Sequence, residues 1–163
     1  MANTPDTPAN TPIEVLFVLQ QHSLVLDWAG PAEALRIANQ LLRAAGQPER
    51  FQIRFAGAAP QATGSVGVTL ANLEPLPVHW NGPCWLVLVG LPGSTIAVDN
   101  DEAQALLHWL RGLRLARGRL ELVSICAGTL LAAHAGLLAG RRATTHHHHL
   151  DELAAVEPRC DVV

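Results

Sequence analysis

Two residue types are missing altogether from this 163-residue chain, tyrosine and lysine. Without tyrosine, proton transfer in any site falls to Cys, His, Asp or Glu. All eleven cations are arginine, an imbalance we read as a GC-rich coding sequence. The formal net charge of −3 excludes the basic footprint of a nucleic-acid binder. Cysteine is scarce: Cys84, Cys126 and Cys160 form no CxxC or other metal spacing, and their number is odd. Reduced thiols in the cytoplasm are the expectation. No apolar run is long enough to span a bilayer, so no membrane partner is expected. Residues 1–12 (MANTPDTPANTP) lack the basic start and apolar run of a secretory signal and read as a frayed tail.

What is present is apolar. At 49% hydrophobic, the chain can bury one core, which predicts one domain over residues 13–163. Ile13 to Leu19 (IEVLFVL) reads as a strand. Gly30-Pro31 opens a helix through Ala45, with Leu35, Ala38, Leu42 and Ala45 as its apolar stripe. Phe51 to Gly57 and Trp85 to Gly90 read as further strands, with a short one possible at Val66 to Leu70. Asp99 to Glu102 caps a helix through Arg111. Arg119 to Ile125 is a strand and Thr129 to Leu138 a helix. Arg141 to Thr145 suits a short strand or turn and His146 to Ala155 a short helix. Continuously apolar strands alternating with helices predict a three-layer, doubly wound α/β domain around a mostly parallel sheet. Arg159 to Val163 reads as the start of a strand, so the closing elements of the domain are expected beyond this sequence.

The densest chemical signal is Val123-Ser124-Ile125-Cys126-Ala127-Gly128. An apolar strand runs into a cysteine, then small residues, then a helix. That pattern suits a nucleophile elbow with a thiol in place of the hydroxyl, and the helix N-terminus would favour thiolate. A buried structural cysteine is the competing reading.

Three features are candidates to meet Cys126. Asp27 follows the first strand, at the end where open α/β sheets place their sites; spacing alone favours a cap for the Pro31 helix. His146 follows the elbow helix and could lower the thiol pKa as a base, or sit on the surface. Gly90 to Thr95, with Gly90 and Gly93, leaves the third strand at the same edge, where its amides and that of Ala127 would form an anion pocket. Trp28, Cys126 and Thr145 would together suit a small, weakly polar molecule. The run His146 to His149 has the look of a metal site or a tag, but it is internal, and on a helix only His146 and His149 share a face, so four imidazoles converging on one ion are not expected; adventitious nickel or zinc binding is. No cofactor is expected.

Taken together, LDWAGPAEAL, VLVGLPGS, SICAGTLLAAHAGLLAGRRATTH and the following HLDEL resemble the ThiJ/PfpI superfamily. The resemblance implies a flavodoxin-like, class I glutamine-amidotransferase-like fold. Within it, AGLLAGRRATTHHHHLDEL is similar to the amino-terminal half of GlxA-type AraC-family transcription regulators. That implies a ligand-sensing, dimerising domain, a small-molecule ligand and a homodimer, with DNA contacted only through a helix-turn-helix domain outside this sequence. Isocyanide hydratases resemble the same stretches. They imply the alternative, a cysteine-dependent hydratase or amidase-like hydrolase in which Asp27 and Cys126 do the chemistry. His146 matches the histidine that recurs near the pocket, and Gly90, Gly93, Ala127 and Thr145 are the implied ligand-binding positions. Where family enzymes often have paired glycines, this chain has Gly90-Leu91 and then Pro92-Gly93, a departure from the family-style oxyanion pocket.

Overall fold

The computed structural model describes residues 11–93 and 95–163; the tail expected at 1–12 falls mostly outside them, as does Ser94 of the loop after the third strand. Five strands form the central sheet: β1 (Ile13–Val18), β2 (Phe51–Gly57), β5 (Glu74–Pro75), β6 (Cys84–Leu88) and β7 (Leu120–Ser124). Their order is β5-β2-β1-β6-β7, and every neighbouring pair is parallel. Between β2 and β5, β3 (Gln61–Thr63) and β4 (Thr69–Ala71) form an antiparallel hairpin. The sequence reads that region as one short strand at Val66 to Leu70. The observed pair instead brackets a turn at Gly67.

Strand alternation sends side chains to two separate cores. Val15, Phe17 and Leu19 face Trp28, Ala32 and Leu35 of α1 (Val25–Ala44). Leu16 and Val18 face the other layer, made by α2 (Asp101–Arg111), α3 (Gly128–His134) and α4 (Leu150–Val156). Two covered faces explain why the strands read as unbroken apolar runs. β8 (Arg142–Ala143) and β9 (Asp161–Val162) pair in parallel as a small separate sheet. β7 is left as an edge, with Val123 39% exposed.

Several boundaries differ from the sequence reading, each for a local reason. α1 begins at Val25, so Pro31 lies inside the helix. Pro31 has no N–H for the carbonyl of Asp27, four residues earlier. Asn39, not an apolar residue, is the buried position of α1. Its amide donates to Phe51 O (2.6 Å) and accepts from the N–H groups of Arg50 and Phe51 (3.0 and 3.1 Å), tying helix to strand. α3 stops at His134 because the chain turns back, with the Leu137 amide donating to Ala132 O. The α2 cap holds as read: Asn100 accepts from Ala103 N–H at 2.9 Å.

Candidate functional site

Chain order and sheet order reverse between β1 and β6. The chain runs outward from β1 to β2 and β5, then returns to lay β6 on the other side of β1. Such a switch point opens a crevice at the carboxyl ends of the strands. Val18, Leu88 and Ser124 stand side by side there in the strand register. The segments that follow these three strands carry Asp27, Gly90 and Cys126.

Gly90 shows how closely they meet. Its N–H donates to Asp27 Oδ2 at 2.9 Å, and its carbonyl accepts from Leu24 N–H at 2.9 Å. A Cβ at Gly90 would lie 2.8 Å from Asp27 Oδ2, 3.0 Å from Cys126 Cβ and 3.2 Å from Ala127 N. Only a residue without a side chain leaves these groups in place. Asp27 is therefore no helix cap: the N-cap of α1 is Leu24, with no side-chain cap bond. Its carboxylate binds the loop after β6 instead. Glu33, the other acid of α1, is exposed and pairs with Arg36.

Cys126 has φ +54°, the left-handed conformation that an L-residue adopts at a cost of about 1–2 kcal/mol. The turn holds it there. Ile125 N–H donates to Leu88 O at 2.9 Å and Gly128 N–H to Ile125 O at 2.9 Å. A Cβ at Gly128 would overlap the Leu88 carbonyl oxygen and sit 2.7 Å from its carbon, so α3 starts directly against β6. The hydroxyls of Ser124 and Thr129 bond across the turn at 2.8 Å. Thr145 Oγ1 donates to the Cys126 carbonyl at 3.0 Å.

The thiol does not behave as the sequence suggests. Burial raises its pKa, and the nearby Asp27 carboxylate raises it further, while the hydrogen bond to Ala127 opposes them. Desolvation outweighs the helix N-terminus, so the thiol form is favoured. Among the described residues, His146 makes no hydrogen bond to the thiol. Its Nδ1 accepts from His148 N–H at 3.4 Å, and its ring contacts are with His147, His148 and His149. Burial and those three imidazoles lower its pKa.

Of the other expected positions, Ala127 is buried beside the thiol, and Gly93 is exposed with φ +133°. Trp28 packs edge-on against Phe55, 5.7 Å between centroids, within the α1 core. A cavity of about 710 Å³ touches the turn only through Ser124 and Thr144. It runs along the open edge of β7 past Leu120, Leu122 and Arg141, away from Asp27.

The His run also departs from expectation. It is not an α-helix: His146 caps a single 3₁₀ turn at His147–His149. His149 is buried, with Nδ1 2.7 Å from Glu152 Oε2, while ligand atoms of His146, His147 and His148 lie within 4.8 Å of one another. Sequence reasoning missed two further polar features. Glu152 also accepts from Ile96 N–H at 3.3 Å, joining α4 to the segment that follows the Gly90 loop. Gln20 Nε2 and Glu102 Oε1 are buried without a partner among the described residues, and Gln21 N–H donates to Glu102 Oε2 at 3.2 Å. Gln20 closing an apolar strand is the available signal; Glu102 gives none beyond its place in the first turn of α2.

No family model matches the chain. It is 31% identical over 149 residues to a Streptomyces lividans protein described as an uncharacterized protein in cpoL 5'region, covering 88% of this chain and 94% of that one. It is 30% identical over 149 residues to the HTH-type transcriptional regulator CdhR of Pseudomonas aeruginosa, covering 90% of this chain and 40% of the regulator. Among solved structures it superposes on an AraC family transcriptional regulator from Pseudomonas putida with a TM-score of 0.71, at 19% identity, over 93% of this chain and 76% of that one. A ThiJ/PfpI family protein from Pseudomonas syringae gives a TM-score of 0.66, at 19% identity, over 93% of this chain and 57% of that one.

The chain has the fold of ThiJ/PfpI family proteins. Its parallel α/β fold is the fold of both solved structures. It spans 40% of the length of CdhR. Among the described residues, no helix is long and apolar enough to cross a membrane.

Proposed function

We propose that this chain is the ligand-sensing and dimerising portion of an AraC-type transcription regulator, with Cys126 at a nucleophile elbow lining a small-molecule pocket. One observation carries the reading: Asp27, Gly90 and Cys126 converge at the switch point of the sheet, where a small ligand would meet a strained, half-buried thiol. The similarity to CdhR and to the Pseudomonas putida regulator supports the regulatory setting. Contact with DNA would come from a helix-turn-helix domain outside these 163 residues, in the cytoplasm. The domain over 13–163 would then be completed by a closing strand and helix, also outside this sequence.

The character of the thiol favours sensing over turnover. Burial and Asp27 both disfavour the thiolate, and among the described residues no histidine is hydrogen-bonded to it. The second reading, a cysteine-dependent hydratase, draws on the same Asp27, whose carboxylate lies close enough to handle protons for attack on an isocyanide-type carbon. The proposal includes a homodimer. Leu26, Ile37 and Leu41 are 80%, 44% and 66% exposed, and with Gly30 and Ala34 they line one face of α1. This apolar stripe, about 22 Å long, suits the same stripe of a second copy.

Thermal-shift screening of weakly polar small molecules, paired with an assay of isocyanide consumption, tests the reading. A ligand that raises Tm and is recovered unchanged supports sensing. Consumption that Cys126→Ser abolishes transfers the case to the hydratase. Sedimentation of the protein and of Leu41→Asp addresses the dimer: a monomeric starting protein sinks that part.

A further inference from the structure

We propose that His146, His147 and His148 form a binding site for one borderline divalent transition-metal ion, with Zn²⁺ as the type case. The backbone explains how three consecutive residues converge. Thr145 is fixed by its hydrogen bond to the Cys126 carbonyl. At the other end His149 is buried against Glu152, and Glu152 is itself held by the Ile96 amide. Between these anchors the chain makes one 3₁₀ turn, closed by His149 N–H donating to His146 O at 2.7 Å. His146 precedes the turn with φ −59° and ψ +136°, off the helical path, so its ring is free to lie back against those of His147 and His148.

The dimensions suit a metal. Ring centroids are 4.3 Å apart for His146 and His147, 4.0 Å for His147 and His148, and 5.1 Å for His146 and His148. Their ligand atoms fall within 4.8 Å of one another. Zinc–nitrogen bonds of about 2.0–2.1 Å in a tetrahedral site need nitrogens about 3.4 Å apart. Small side-chain rotations close that gap, and the 3.4 Å bond from His148 N–H to His146 Nδ1 is too long to resist them. His147 and His148 are exposed, so the ion needs no opening of the fold. Three imidazoles select Zn²⁺, Ni²⁺ or Cu²⁺ over Mg²⁺ and Ca²⁺, which prefer oxygen ligands. They also leave a fourth position for water or an outside donor. The site stands independently of any sensing role for Cys126.

Calorimetric titration of the chelator-treated, tag-free chain with zinc chloride tests this. One ion should bind per chain and saturate, and Mg²⁺ should not compete. His147→Ala and His148→Ala should each weaken binding at least about tenfold, with circular dichroism unchanged because both side chains are exposed. Cys126→Ser should leave the affinity unaltered. Uptake that never saturates, or affinity retained by the double variant, means adventitious binding only and overturns the site. Loss of binding in Cys126→Ser overturns it as well, by moving the ion to the thiol.

Discussion

Cys84 opens one strand of the parallel sheet and Cys126 follows the end of its neighbour, at opposite rims. Cys84 opens β6, faces Glu14 and Leu120 in the register, and is 1% exposed. Burial, with the Glu14 charge behind it, pushes its pKa up to about 12. Cys126 lies just past the end of β7, half-buried, in a left-handed turn against the Ala127 amide and the Asp27 carboxylate. Both thiols are shifted toward the neutral form, yet only one sits where chain segments converge and a ligand can approach. In a parallel sheet, the amino rim packs a cysteine as a small apolar residue. The carboxyl rim, where chains must leave their strands, presents one.

The widest gap should appear in alkylation. In the native protein Cys126 should react with iodoacetamide at least about a hundredfold faster than Cys84, since a pKa near 12 leaves almost no thiolate at neutral pH. Peptide mapping after timed exposure measures both rates, and equal rates would erase the contrast. Next comes the turn itself. Gly128→Ala drives a methyl into the Leu88 carbonyl, so it should cost about 3 kcal/mol, seen as a fall in Tm of about 6–12 °C. A shift under about 2 °C would mean that α3 is not pinned to β6 as described.

A smaller effect separates the cysteines by stability. Cys84→Ala empties a packed site and should cost about 1 kcal/mol. Cys126→Gly removes a side chain from a left-handed residue, so chemical denaturation should find it unchanged or stabler by up to about 1 kcal/mol. Equal losses would show that the turn is unstrained. The finest test is Asp27→Asn. It removes a charge that raises the Cys126 pKa but keeps an oxygen for the Gly90 amide. The sign follows: with less repulsion the thiolate forms more easily, so the pH–rate curve for Cys126 alkylation should move to lower pH. A curve that stays in place would leave burial as the sole cause.

The strands were legible because both faces of the sheet are covered, which makes each an unbroken apolar run. The α2 cap was legible because Asn100 acts on its own helix, three residues away. Asp27 was misread for the opposite reason: a cap and a loop anchor have the same local spacing, and the partner that distinguishes them, Gly90, is 63 residues away. The start of α1 was misplaced because Pro31 normally marks a first helical turn, whereas here the helix runs through it. The thiol was misjudged because a helix N-terminus can be read from sequence but the burial opposing it cannot. The histidine run was judged as an α-helix; anchors at Thr145 and Glu152, held by distant segments, make it a 3₁₀ turn.

Hydrophobic period, turn residues and composition by themselves determined the α/β class and the position of Cys126 between strand and helix, because those properties depend on neighbours a few residues apart. Only the tertiary structure decided which carboxylate lies by the thiol, which proton state that thiol prefers and which imidazoles share a space. Those outcomes depend on distance and desolvation, and both are set by segments that meet only once the sheet has formed.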